Sequence, residues 1–183
     1  MSELLRGRVG TEHALSSHAI GDRFVVLDRL SIGFVPIPLN LMNTPIWIKA
    51  VTYGKLLAEA TAVKVTPQAN HLKPLTVVKV RKVKSVDGDL TFSWSRRARV
   101  NGGWHNNADV PLDFGIEQYD VQIYNATGTT VIRQYLGLTS SQFTYTLADQ
   151  TTDFGGAAPD PIKIRIWQLS DLVGRGQQSV RTL

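Results

Sequence analysis

Between Asp87 and Gly176 the apolar residues recur at every second position, in short runs separated by turn residues. A period of two is the repeat of a β-strand, whose successive side chains point to opposite faces. An α-helix cannot gather such a pattern onto one side. In LTFSWS, Leu90, Phe92 and Trp94 share one face while Thr91, Ser93 and Ser95 take the other. EQYDVQIY repeats the alternation through Tyr119, Val121 and Ile123, and Phe143, Tyr145 and Leu147 continue it. Ile162, Ile164 and Ile166 fall on one side of a further run, with Lys163, Arg165 and Trp167 on the other. Upstream, Leu75 to Val83 alternates, so that Val78, Val80 and Val83 face a core and Lys79, Arg81 and Lys82 face outward. Thr129 to Leu136 and Gln177 to Arg181 supply two more strands. Asp87-Gly88-Asp89 and Asn125 to Gly128 carry the glycine and Asx signals of tight turns.

About seven short strands with turns every 8–12 residues predict an all-β fold of the immunoglobulin-like sandwich type. The chain has no cysteine, which excludes the disulfide-bridged antibody version. A Trp in the second strand, a Tyr at the head of the third and an open final strand resemble the fibronectin type III pattern. Trp94 is then the expected core anchor.

The first half is less regular, and a soft boundary lies at TPQANHLKP, where Pro67 and Pro74 flank a polar stretch. Residues 1–70 are therefore assigned to a smaller β-rich N-terminal domain and residues 71–183 to the sandwich. Within the first segment, Arg23 to Leu30 and Trp47 to Tyr53 have strand character, and Pro36, Pro38 and Pro45 forbid a long helix between them. LLAEATAVKV, residues 56–65, suits a helix or a strand equally. A short helix capped by Thr11 is expected near the N-terminus.

Composition narrows the function classes. With 43% hydrophobic and 19% charged residues, the chain has the apolar content to fold. The missing cysteines exclude disulfide staples, Cys-ligated zinc and thiol nucleophiles, and suit a chain made in a reducing cytoplasm. No apolar run approaches the roughly 20 residues of a membrane span, so no stable membrane insertion is expected. The net charge of +5 is spread evenly: seven cations against five carboxylates in residues 1–70, thirteen against ten in residues 71–183. Solvated strand faces account for such a mild excess.

Candidate chemistry is sparse. His13 and His18 are five residues apart, which does not place them on one helical face, and His71 and His105 stand alone, so no metal site is expected. Asp87 and Asp89 flank a glycine, but the chain then runs straight into a strand instead of supplying the remaining oxygen ligands of a calcium loop. Asp149 and Asp153 lie in an expected turn, and nothing marks them as the acid and base of a glycosidase. No GxSxG elbow occurs. Arg96, Arg97 and Arg99 lie near Trp94 and Trp104 and have the composition of a phosphate patch, yet strand alternation sends Arg96 and Arg97 to opposite faces. Inter-subunit ion pairs or a solvated strand end explain them better than nucleic acid does. Trp104, in the loop NGGWHNN, and Trp47 are the candidate surface contacts, because an aromatic ring on a surface stacks on a sugar or anchors a neighbouring subunit.

Several blocks occur in a specific order: LLRGRVGTEHALSSHAIGDRFVVLD, WIKAVTYGKLLAEA, DGDLTFSWSRRAR, NGGWHNNADVPL, EQYDVQIYN, TYTLADQTTDFG and IWQLSDLVGRG. In this order they resemble the C-terminal region of the tail hub of siphophages and gene transfer agents, whose last domain is fibronectin-like. DVPL, QTTDFG and QLSDLVGRG are not generic sandwich features. The resemblance implies a homotrimeric tail-tip subunit at the distal end of the virion tail, assembled in the host cytoplasm. Its partners would be other tail-tip and hub proteins and its own copies, with host-surface contact through a glycan or receptor. Members of the family are commonly longer and carry hub domains and often a glycosidase-like barrel upstream; activity attached to those parts is not carried over. The expectation is thus a non-enzymatic, cofactor-free structural protein. The rival class is a carbohydrate-binding module acting through Trp104 or Trp47, and the third is a wall-degrading enzyme.

Overall fold

A computed structural model of the chain describes residues 12–23, 33, 35–99, 102, 110–113 and 115–183. Ala19–His71 forms one compact unit and Leu72–Leu183 the other. Residues 12–18, assigned above to the first segment, group with the second unit. Glu12–Ser17 is a 3-10 turn; Thr11, its expected cap, lies outside the described residues, as do residues 24–30 of the first expected strand.

The smaller unit holds one antiparallel hairpin, β1 (Ile46–Lys49) and β2 (Ala62–Val65). Ile46 pairs with Val65, Trp47 with Lys64 and Ile48 with Val63. The expected strand from Trp47 to Tyr53 therefore ends at Lys49. The ambiguous stretch 56–65 divides, with a 3-10 turn at Leu57–Glu59 followed by β2. Lys49 Nζ donates to the Leu57 carbonyl at 3.0 Å and ties that turn to β1.

The larger unit is an all-β sandwich of the immunoglobulin and fibronectin type III kind. Its strands are β3 (Val78–Lys84), β4 (Leu90–Ser95), β5 (Tyr119–Tyr124), β6 (Val131–Leu138), β7 (Gln142–Tyr145), β8 (Lys163–Ser170), the two-residue β9 (Gly174–Arg175) and β10 (Ser179–Thr182). One sheet has the order β3-β4-β7 and the other β10-β8-β5-β6, with β9 on the end of β8. All pairs are antiparallel. The chain thus places its first, second and fifth long strands in one layer and the rest in the other, as in fibronectin-like sandwiches.

Alternation fills the space between the layers. Phe92, Trp94, Tyr119, Val121, Ile123, Tyr145, Ile162, Ile164 and Ile166 are all buried there. Trp94 meets Tyr119 edge-on at 5.1 Å between centroids, and Phe92 stacks on Phe143 at the same distance. Such aromatic pairs contribute about 0.5–1.5 kcal/mol beyond the area they bury. The Tyr119 hydroxyl keeps a partner, donating to Glu117 at 2.8 Å.

Two expectations are corrected. Lys82 was placed outward and Val83 inward; the structure reverses them. Lys79 has φ +51°, and the β3–β4 register shifts between Val78 and Arg81. Val77, not the expected Val78, lies in the core before this bulge, Val78 pairs with Ser95 on the outer face, and the extra residue lets Val80 and Lys82 face inward after it. Lys82 now lies opposite the core residue Phe92, and its ammonium emerges at the open edge of the sandwich. There it donates to Asp160 Oδ1 and to the Leu183 carbonyl, both at 2.8 Å. Val83 is left exposed. A bulge and an inward lysine on a sheet edge both discourage pairing with a foreign strand.

The second correction concerns Leu147, which does not extend β7 but begins the helix α1 (Leu147–Phe154). Thr146 caps it by accepting the Asp149 N–H at 3.1 Å, and Gly155 ends it with φ +75°, a left-handed conformation that favours glycine. The helix is locked onto β6. Arg133 holds Asp153 through two bonds of 2.6 and 3.0 Å and reaches Asp149 at 3.0 Å, while the buried Tyr145 donates to Asp153 at 2.7 Å. The Arg133 guanidinium holds the Asp153 carboxyl below its ordinary range, against burial, with the Tyr145 hydroxyl adding to the effect. Burial, aided by the Asp149 charge, pushes the Tyr135 phenol up to about 12.

Two stability predictions follow from this packing. Trp94→Ala is expected to cost about 3–5 kcal/mol in urea unfolding, a large share of a small domain's stability. Asp153→Asn is expected to cost about 2 kcal/mol at pH 7. Because the folded-state pKa of Asp153 is depressed, its contribution is present above the unfolded value of about 3.9 and is lost as pH falls through the folded one. Unfolding curves of wild type and Asp153→Asn should therefore draw together as pH falls below the ordinary carboxylate value, and a gap that never narrows in acid would show that the pair acts through packing alone.

Candidate interaction surface

The hairpin of the smaller unit presents two unlike faces. Ile46, Ile48, Val63 and Val65 share one of them, and Trp47 and Lys64 stand opposite each other on the other. Trp47 is 67% exposed, with the Lys64 ammonium 6.0 Å from its ring centroid. Tyr53, Leu56, Leu57 and Val63 are exposed as well. None of the described residues between Ala19 and His71 is buried. Folding normally removes such residues from water, and each fully buried Leu or Val side chain gains about 1.5–3 kcal/mol. The described part of this unit keeps these apolar side chains at the surface.

A hollow of about 310 Å³ lies beside the hairpin, lined by Ala50, Val51, Thr52, Lys55, Glu59 and Ala60. It has one ion pair, Lys55–Glu59 at 3.6 Å, and no aromatic platform. Trp47 does not line it. Trp104 and His105 lie outside the described residues. Trp94, the third tryptophan singled out in the sequence, sits in the sandwich core at 5% exposure.

The remaining candidate groups are committed to structure. The Arg97 guanidinium donates to the Thr76 carbonyl at 2.9 Å and to its hydroxyl at 2.6 Å. Arg96 donates to the Pro111 carbonyl at 2.8 Å, and Arg99 to that of Lys73 at 2.8 Å. The arginine run therefore ties loops to the sandwich instead of forming a phosphate-binding stripe. Asp89 closes the β3–β4 turn and accepts the Leu147 N–H at 2.7 Å, which adds a carboxylate to the start of α1. Asp149 and Asp153, the pair weighed as acid and base, are both bound to Arg133. His18 and His71 are exposed. Among the described residues no three His, Asp or Glu side chains come together as metal ligands, and no helix is long and apolar enough to cross a membrane.

Sequence reasoning placed Lys163, Arg165 and Trp167 on one face of β8 but missed what meets them there. The Arg165 guanidinium lies 4.3 Å from the Tyr124 ring centroid and that of Arg175 4.8 Å from the Trp167 centroid. Arg175 also binds Asp120 at 2.6 Å, and Asp120 accepts the Gly137 N–H at 3.0 Å. The partners come from β5 and β9, so only strand order could reveal them.

No family model matches the sequence, and no curated protein matches it. Among solved structures, the chain is similar to domains d3–d4 of the rat CD45 extracellular region, with a TM-score of 0.39 and 8% identity over 91% of this chain and 76% of that one. It is also similar to the FN5 domain of Drosophila Lar, with a TM-score of 0.34 and 16% identity over 60% of this chain and 95% of that one. The fold assignment rests on the strand order itself.

Proposed function

We propose that this chain is a non-enzymatic structural component of a phage or gene-transfer-agent tail tip, assembling with copies of itself as a trimer and with other hub proteins at the distal end of the tail. The observation that carries the reading is the smaller unit, Ala19–His71, whose described residues include no buried side chain while Trp47, Tyr53, Leu56 and Leu57 stand in solvent. Assembly would cover these exposed side chains, because an interface core is packed like a domain core and favours aromatic residues. The resemblance of the ordered sequence blocks to tail hubs supports this kind of assembly. In this reading the sandwich is a rigid spacer, and no bond is made or broken. Host contact would fall to the exposed loops.

A second reading, a carbohydrate-binding module of the host surface, is favoured by one observation: Trp47 is an exposed indole with a cation beside it, a stacking platform for a sugar ring.

Sedimentation velocity separates the two. The structural reading expects a trimer at micromolar concentration that the double variant Trp47→Ser/Leu57→Ser dissociates at least tenfold more readily, as loss of two interface anchors should. Antibody against the chain should then decorate the distal tail end of intact particles in electron micrographs. A monomer at every concentration, together with glycan-array binding lost in Trp47→Ala, would replace this reading with the second.

A further inference from the structure

On the outer face of the four-stranded sheet, a shallow hollow of about 190 Å³ opens between β8, β10 and the β5–β6 turn. Thr127, Gly128, Lys163, Arg165, Val180 and Thr182 line it, over Tyr124, and no carboxylate does. Its two cations are held in place from different directions. The Arg165 guanidinium lies over the ring of Tyr124, 4.3 Å from its centroid, and Tyr124 is buried and anchored through its hydroxyl to Gln122 at 2.8 Å. Lys163 Nζ donates to the Thr127 carbonyl at 3.0 Å. The lysine stem crosses Gly128, where an added Cβ would come within 2.8 Å of Lys163 Cδ. Gly128 has φ +77°, so the turn requires a glycine and leaves the room that the lysine fills.

Among the described residues neither cation meets a carboxylate. A guanidinium held over an aromatic ring by cation–π attraction spends none of its N–H donors on that contact. The ammonium, with one proton given to Thr127, keeps two. The Thr182 hydroxyl stands at the rim of the same hollow. Holding two uncompensated cations two residues apart on one strand face carries a repulsive cost, which an anion seated between them would remove.

We propose that this hollow is a phosphate-binding site. The Arg165 fork, the Lys163 ammonium and the Thr182 hydroxyl address three oxygens, which a tetrahedral phosphate presents and a planar carboxylate does not. The site belongs to the sandwich alone and does not depend on the assembly reading. The same chemistry serves free phosphate, a monoester or the diester of a polymer.

The test is an amide-shift NMR titration of the full chain at pH 7 and constant ionic strength, with inorganic phosphate, with dimethyl phosphate as the diester, and with acetate. The expected result is saturable change confined to Thr127, Gly128, Lys163, Arg165 and Thr182, for inorganic phosphate or for dimethyl phosphate. Which of the two binds more tightly tells free or monoester phosphate from a polymer diester. Lys163→Gln and Arg165→Gln should each weaken binding about tenfold, while Arg81→Gln, on the other sheet, leaves it unchanged. The variant spectra themselves report that each protein is folded. Shifts that never saturate and spread to β3, or acetate binding as tightly as phosphate, would overturn the proposal.

Discussion

Two sheets can share an interior only if every strand turns its apolar side toward the same gap, and in this chain the gap is occupied by a few large rings. Trp94 from β4 meets Tyr119 from β5 across it, beside the stacked pair of Phe92 from β4 and Phe143 from β7. The three isoleucines at 162, 164 and 166 complete the floor without a solvent-exposed atom. Everything else in the sandwich is arranged around that packing. The turns return each strand in register, and the caps of α1 keep the β7–β8 connection from fraying.

Charge is used at the margins of this interior, where each ion can reach both a partner and water. Lys82 closes one open edge by bridging Asp160 and the last carbonyl of the chain. Arg133 closes another by clamping α1 through Asp149 and Asp153. Arg175 and Asp120 pin the β8–β9 arm against β5. A buried ion pair seldom adds much over an apolar substitute, but breaking one leaves a charge without a partner. These pairs therefore specify one arrangement of edges and connections more than they add stability.

The smaller unit follows the opposite logic. Its hairpin has the apolar pairs Ile46–Val65 and Ile48–Val63 on one face, yet a two-stranded hairpin alone is only marginally stable in water. None of its described residues is buried, whereas the sandwich has a core of its own. That contrast is the physical basis for the proposal that the chain assembles with copies of itself and with other proteins.

The sequence by itself determined the sandwich, because period-two alternation is a local property. Leu90-Phe92-Trp94 and Ile162-Ile164-Ile166 could face only one way in any sheet, and Trp94 was legible as a core residue from its strand alone. The helix α1 was not read from the sequence: the alternation of Phe143, Tyr145 and Leu147 carried the strand past Thr146, and Asp149 and Asp153 were expected in a turn. Only the tertiary structure decided what depends on residues far apart in the chain. The bulge at Lys79 put Val77 in the core and Val78 outside while Val80 and Lys82 face inward, since one extra residue exchanges the two faces of a strand and no local pattern records it. Asp149 and Asp153 became structural once Arg133, from another strand, reached them. Lys163 and Arg165 became a positioned pair of cations only because strand order brought Tyr124 beneath one and the Gly128 turn beneath the other.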